Sequence, residues 1–245
     1  MRERIKRRAW ALLPERMQET LLGYAIRRGV GRFKESRRSF DYDRTLLVNP
    51  YLAELEAASP DLASAVKLTG LSIGYPAWNL LYYCLLCSLP PRDAVVVETG
   101  TNQGFSTIVM AQALKDAGVN AVVRTVDIDP DVVPQARRNV ELAGLSRHVD
   151  FHVGDSLAFL EELAKQVDHV DFAFLDGDHE TRHVVSEFEL IRPLVTACGG
   201  KVYLDNTSSG GVAEALRHIR ATYGGALVEF ANCSWSPPGN ALWQP

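Results

Sequence analysis

Glu98, Asp127, Asp155, Asp176 and Asp205 close the five short apolar runs AVVVE, AVVRTVD, VDFHVGD, VDFAFLD and KVYLD. One acid at a strand end merely suits a turn or a helix cap. Five on one edge repel one another unless something cationic or rich in donors sits among them. The pattern therefore points to a positively charged ligand, a metal ion, or both.

The first acid opens the turn Glu98-Thr-Gly-Thr-Asn-Gln-Gly104. Gly100 can take a tight turn, and Gly104 allows close backbone approach at the start of a helix. The dinucleotide fingerprint G-x-G-x-x-G is absent, because Asn102 stands where its middle glycine belongs, so a nicotinamide enzyme loses ground. One helix later, Asp127 closes a strand at the place where a carboxylate can accept two hydrogen bonds from ribose hydroxyls.

Two other spacings invite chemistry. His179-Glu-Thr-Arg-His183 matches H-E-x-x-H, the zinc protease pattern. That chemistry needs both imidazoles well inside a helix and a third ligand beyond. Here His179 follows a strand and its turn, Phe174-Leu-Asp-Gly177, so it falls in a frayed first turn. Cys84-Leu-Leu-Cys87 has thioredoxin spacing, but its apolar helical setting fits an inert packed pair. Trp78, Tyr82 and Tyr83 either roof a pocket before the first strand or pack the helix. Trp235 and Pro237-Pro238 fall in a loop that could wall an acceptor site.

The elements that must position these residues alternate. Helix-length amphipathic segments at 106–117, 131–143, 157–166 and 181–194 separate the five runs, and a helix at 212–223 and strands at 226–230 and 240–244 follow. The alternation predicts an α/β fold, a doubly wound, mostly parallel, seven-stranded sheet with helices on both faces. Its parallel strands bring all five acids to one edge, where such folds bind ligands. Before residue 90 the apolar spacing is helical, with a helix at 75–88. The chain is read as an N-terminal helical extension over 1–70 and a catalytic-type domain over 71–245.

Length (245 residues) and an apolar share of 47% suffice for a core, and no repeat or low-complexity tract appears. Neither a membrane-spanning stretch nor an apolar signal segment is apparent, and four cysteines make no disulfide framework, so a cytoplasmic protein is expected. Residues 1–40 hold 12 Lys/Arg against 4 Asp/Glu, whereas the rest holds 14 against 26. The basic head fits peripheral contact with a membrane, an acidic neighbour, or a second copy in a homo-oligomer. It lacks the aromatic and glycine interleaving of nucleic-acid binders, so no nucleic-acid partner is expected.

E-x-G-x-x-x-G, then V-D-I-D-P, V-G-D-S and F-L-D-G-D-H resemble a class I S-adenosylmethionine-dependent methyltransferase, from about Leu71 to the end. More narrowly, Asp176 and Asp205-Asn206 are similar to the metal site of catechol O-methyltransferase-like enzymes. Asp176-x-x-His179 resembles the sugar and macrolide O-methyltransferases, where the histidine is taken as general base; catechol-type enzymes carry a lysine there. The resemblance implies a Rossmann-like fold, with Glu98, Gly100 and Gly104 around the methionine part of S-adenosylmethionine and Thr101, Asn102 and Ser106 also binding the cofactor. It implies Asp127 at the ribose, Ile128 among the cofactor-binding residues, Asp155 and Ser156 at the adenine, and Asp176 between cofactor and metal. Asp176, Asp205 and Asn206 would ligate a divalent cation, with Mg²⁺ the expected ion for an all-oxygen set. His179 and Asp176 are the expected catalytic pair, and the acceptor a hydroxyl of a sugar, glycolipid or polyketide-like small molecule. The alternatives are a non-catalytic binding module of the same fold, against which the intact Asp176, His179, Asp205 and Asn206 argue, and a zinc hydrolase.

Overall fold

The computed structural model describes residues 77–91, 93–207, 209–231 and 239–245, together with Met17, Arg38, Ser39, Pro50 and Glu54. Apart from those five isolated positions, the helical spacing read over 1–70 lies outside these residues, as do the start of the helix at 75 and the loop carrying Trp235 and Pro237-Pro238.

The elements are β1 (Arg38–Ser39), α1 (Ala77–Leu86), β2 (Val96–Thr99), α2 (Phe105–Ala117), β3 (Val123–Asp127), α3 (Val133–Leu142), β4 (Val149–Val153), α4 (Ser156–Gln166), β5 (Phe172–Leu175), α5 (Thr181–Cys198), β6 (Lys201–Leu204), α6 (Gly210–Thr222), β7 (Ala226–Ala231) and β8 (Asn240–Gln244). They form one sheet of order β1-β7-β8-β6-β5-β2-β3-β4. All seven expected strands are present, and β8 alone runs antiparallel, against both β6 and β7. An eighth, two-residue strand was not expected: Arg38 and Ser39 pair in parallel with Phe230 and Ala231, occupying the edge β7 would otherwise leave open.

Strand side chains alternate between two cores. Val96, Phe172, Phe174 and Tyr203 face α1 and α2. Val97, Ala173, Leu175, Val202 and Leu204 face α4, α5 and α6. Burial on both faces explains why these strands read as continuous apolar runs. Helix α5 runs four residues past its expected end at Leu194. Pro193 sits inside it, exposed, while Val195 is buried and Gly199 supplies the left-handed cap (φ 72°) that ends the helix.

Strand order reverses between β2 and β5. Asp176 N–H donates to the Thr99 carbonyl at 3.1 Å, joining the two strand ends at this switch point. Ligand crevices in open α/β sheets form at such a reversal.

Candidate active site

Gly100 is at the centre of the crevice. Its φ is 86°, and a Cβ there would lie 2.2 Å from the Asp176 carbonyl oxygen. The glycine is thus required by the neighbouring strand end. Gly104 (φ 83°) likewise starts α2 and meets Ala136 of α3, 3.1 Å from where a Cβ would sit.

Glu98 points into the first turn of α2. Its two oxygens accept from Ser106 Oγ and Thr107 Oγ1, each at 2.5 Å. Complete burial pushes its carboxyl up to about 7, against the pull of the Ser106, Thr107 and Thr125 hydroxyls, and Asp176 adds to the rise. Thr101 Oγ1 is 2.5 Å from Thr125 Oγ1, which ties the turn to β3.

Asp127 ends β3, 5% exposed. Oδ2 accepts the Asn102 N–H at 2.7 Å and Oδ1 the Asp129 N–H at 2.8 Å. Asn102 holds a left-handed φ of 47°, so the backbone turns its N–H onto the carboxylate. Each oxygen keeps a lone pair for a further donor. Ile128, beside it, is 61% exposed and offers bare apolar surface. Asp155 caps α4 by accepting the Ala158 N–H at 3.0 Å, and Ser156 Oγ lies 2.9 Å from His183 Nε2.

Across the crevice, Asp176, His179, Asp205 and Asn206 converge. Asn206 Nδ2 donates to Asp176 Oδ1 at 2.8 Å and lies 3.3 Å from Asp205 Oδ2. His179 Nε2 is 3.3 Å from Asp176 Oδ1. Burial, and next the charge of Asp176, push the Asp205 carboxyl up to about 8. Desolvation pulls His179 down, but Asp176, Asp205 and Asp178 outweigh it and hold the imidazole above its ordinary value. Asn206 has a left-handed φ of 56°, the conformation that carries its amide back toward both acids. Among the described residues, no group of three or more His, Cys, Asp and Glu side chains converges as a metal-ligand set.

Three supports of this cluster were missed in the sequence. Asn240, the first residue of β8, donates from Nδ2 to Asp205 Oδ1; a polar residue opening an apolar strand gives no warning of that. Gly211, in the first turn of α6, abuts the loop so closely that a Cβ would lie 2.0 Å from the His179 carbonyl oxygen. Glu187 left a signal: it is an acid on the same apolar stripe of α5 as Val184, Phe188 and Ile191.

The remaining motifs fall elsewhere. In H-E-x-x-H, His179 precedes α5 and turns to Asp176, while His183 turns to Ser156, so the two rings do not share a site. Trp78 stacks on Phe105 (centroids 6.2 Å apart), and Tyr82 donates to Asp116 at 2.8 Å, so both serve helix packing. Burial pushes the Cys84 thiol up to about 12, the condition of an inert cysteine.

A family model described as a methyltransferase domain matches residues 97–207. The rhamnosyl O-methyltransferase of Mycobacterium tuberculosis is 31% identical over 135 residues, covering 54% of this chain and 52% of that protein. The chain thus spans about half the length of such relatives. A catechol O-methyltransferase of Niastella koreensis is 31% identical over 191 residues, 72% of this chain and 84% of the relative. The crystal structure of the O-methyltransferase TomG from Streptomyces achromogenes in complex with SAM matches with a TM-score of 0.60 at 20% identity, covering 81% of this chain and 91% of that one. That last likeness speaks for the fold, and the catechol O-methyltransferase match for the family. The chain belongs to the class I S-adenosylmethionine-dependent O-methyltransferases.

Proposed function

We propose that this protein moves the methyl group of S-adenosylmethionine to a hydroxyl of a small molecule, with a sugar, glycolipid or polyketide-like product as the acceptor. The observation that carries the proposal is the meeting of Asp176, His179, Asp205 and Asn206 at the same switch point as the Glu98–Gly104 turn and Asp127. Asp127 accepts the ribose hydroxyls on the lone pairs its two backbone donors leave free. Ile128 covers the adenine, and Asp155 and Ser156 flank it. The Glu98–Ser106 pair and Gly100 line the methionine end.

The donor set fits a divalent cation. Two carboxylates and an amide oxygen are hard ligands suited to Mg²⁺, and the charge of Asp176, after burial, adds to the rise of Asp205 to about 8, a repulsion that a cation would relieve. Asp176, Asp205 and Asn206 would hold the ion, with the Asn206 amide turned to present its oxygen. When bound, such an ion lowers the pKa of a coordinated hydroxyl and helps align it.

The chain's own part is deprotonation and positioning. The acceptor oxygen attacks the methyl carbon, the carbon–sulfur bond breaks, and His179 takes the hydroxyl proton on the ring nitrogen that Asp176 does not engage; the products are the methyl ether and S-adenosylhomocysteine. General-base help of this kind is worth about 10²–10⁴-fold. Asp176 accepts from the His179 ring, fixing its orientation and stabilising the imidazolium that forms.

The test is calorimetric titration with S-adenosylmethionine, with and without Mg²⁺, on the wild type, Asp127→Ala and Asp176→Ala. Micromolar binding lost in Asp127→Ala and kept in Asp176→Ala is expected. A wild type that binds no cofactor under either condition ends the methyltransferase proposal.

A further inference from the structure

A second polar chain runs beneath the loop that carries Asp176 and His179. His183, in the first turn of α5, brings Nε2 to 2.9 Å from Ser156 Oγ at the start of α4. The same nitrogen lies 3.3 Å from Glu187 Oε1, one turn further along α5. Glu187 is 1% exposed, and its Oε1 is closed off from solvent. Gly177, in the middle of the Asp176–His179 loop, covers it from above: a Cβ there would lie 2.9 Å from Glu187 Oε1.

This is no hydrolytic triad. In a triad the acid and the nucleophile engage opposite nitrogens of the ring, whereas Ser156 and Glu187 here share Nε2. Nor is the pair explained by stability, because an apolar residue in the stripe of Val184, Phe188 and Ile191 would serve the core as well as a buried ion pair. What the pair supplies is position: a charge-assisted contact fixes a hydroxyl on one side and a loop on the other. The His183 imidazole is accordingly held above its ordinary value, by Glu187 first, against desolvation, with Asp178 and Asp155 adding to the rise.

We propose that His183 and Glu187 are positioning residues of the methyl-transfer site, tying the Ser156 hydroxyl at the adenine-side turn to the loop that presents Asp176 and His179. The proposal rests on the assignment of Asp155 and Ser156 to the adenine wall. Ser156 then meets the cofactor in one orientation, because His183 holds its hydroxyl, and Glu187 keeps His183 from turning away. Gly177 rests on the same carboxylate, so cofactor side and acceptor side share one support.

The test uses the full chain and calorimetric titration with S-adenosylhomocysteine, which needs no acceptor. Ser156→Ala and His183→Leu should each weaken binding about five- to tenfold, and the double variant should be no weaker than the worse single variant, since both remove one linkage. His183→Gln, which keeps a donor for Ser156, should recover most of the affinity, a rescue that a purely structural role does not produce. Gly177→Ala should reproduce the His183→Leu loss by displacing Glu187. Additive losses, a His183→Leu protein that binds like the wild type, or absent rescue by His183→Gln would overturn the linkage. If His183→Leu does not fold, Glu187→Gln with Ser156→Ala closes the same cycle. Asp127→Ala separates the two levels of the claim. If it loses binding while the Ser156–His183 cycle is additive, only the linkage fails; if the wild type does not bind, both fail.

Discussion

The two sides of the switch point treat their acids differently. On the β2–β4 side every carboxylate of the site is met by hydroxyl or backbone donors: Glu98 by Ser106 and Thr107, Asp127 by two N–H groups, Asp155 by its helix. On the β5–β6–β8 side, Asp176 and Asp205 share the Asn206 side-chain amide, and the Asn206 backbone, Asn240 and His179 add further contacts. Burial alone does not separate the sides, since it raises both Glu98 and Asp205. The sharing of a donor does: Asp176 and Asp205 lie close enough to hold the same Asn206 amide, and the charge of Asp176 is second only to burial in raising Asp205. A side already answered is a rigid cradle for a neutral, hydroxyl-rich ligand. A side left in excess of negative charge is a place for cations, such as the sulfonium, the metal ion and the imidazolium of the mechanism proposed above.

The largest expected effect breaks the two sides apart. His179→Ala should lower turnover about 10²–10⁴-fold while leaving the affinity for S-adenosylhomocysteine within a factor of about two. A comparable loss of cofactor affinity would mean that the sides are one unit and the contrast is false. Next comes a glycine pair. At Gly211 an added Cβ meets the His179 backbone at 2.0 Å, whereas at Gly210 it meets nothing. Gly211→Ala should therefore lose about 1–3 kcal/mol of stability together with most activity. Gly210→Ala should be neutral or slightly stabilising, since alanine suits a helix better. Denaturant melts and turnover of both variants check the pair; equal behaviour would show that α6 does not set the His179 loop.

The difference between the sides also decides what was legible in the sequence. Strands and helices were readable because period and punctuation are local: five apolar runs ending in acids, with helices of period 3.6 between them. The first-side residues lie within single strand–turn–helix units, so Glu98 to Ser106 and Asp155-Ser156 announce themselves by spacing. The second side is assembled from three separate elements. Asn240 reaches Asp205 only because β8 turns back antiparallel between β6 and β7, and Gly211 reaches His179 only through the packing of α6 on α5. No spacing encodes such meetings. Arg38–Ser39 was unreadable for a related reason: two residues hold no period, and only the open edge of β7 makes them a strand.

A smaller effect sharpens the charge contrast through pH. Asp205 has its folded carboxyl raised to about 8, above the ordinary carboxylate value it has when unfolded. The folded state then binds the extra proton, so stability falls as pH rises toward 8. His183 is also raised, so the stability of its pair is present below the ordinary imidazole value and is lost as pH rises through the folded one. Both point the same way. With chelator present, the urea midpoint should fall between pH 6 and pH 9, and Asp205→Asn should flatten most of that slope. Saturating Mg²⁺ should flatten it too in the wild type and do little in Asp205→Asn. A slope unchanged by Asp205→Asn would mean that the second side carries no unmet charge.

The smallest effect probes the first side, where the acids are supposed to be already answered. Asp155 accepts the Ala158 N–H and is exposed, so its visible work is the cap of α4. Asp155→Ala should cost about 1 kcal/mol. Asp155→Asn keeps a side-chain oxygen for the same N–H and should restore nearly all of it. If capping is the whole role, the two variants bind S-adenosylhomocysteine equally once both are folded. If the carboxylate also faces the adenine, Asp155→Asn regains stability but not affinity, because an amide presents one acceptor where the acid presented two. Thermal melting and titration on the same two proteins separate these outcomes. The second would give Asp155 a ligand-facing acceptor like those Asp127 keeps, and leave Glu98 as the one acid of this side wholly answered within the protein.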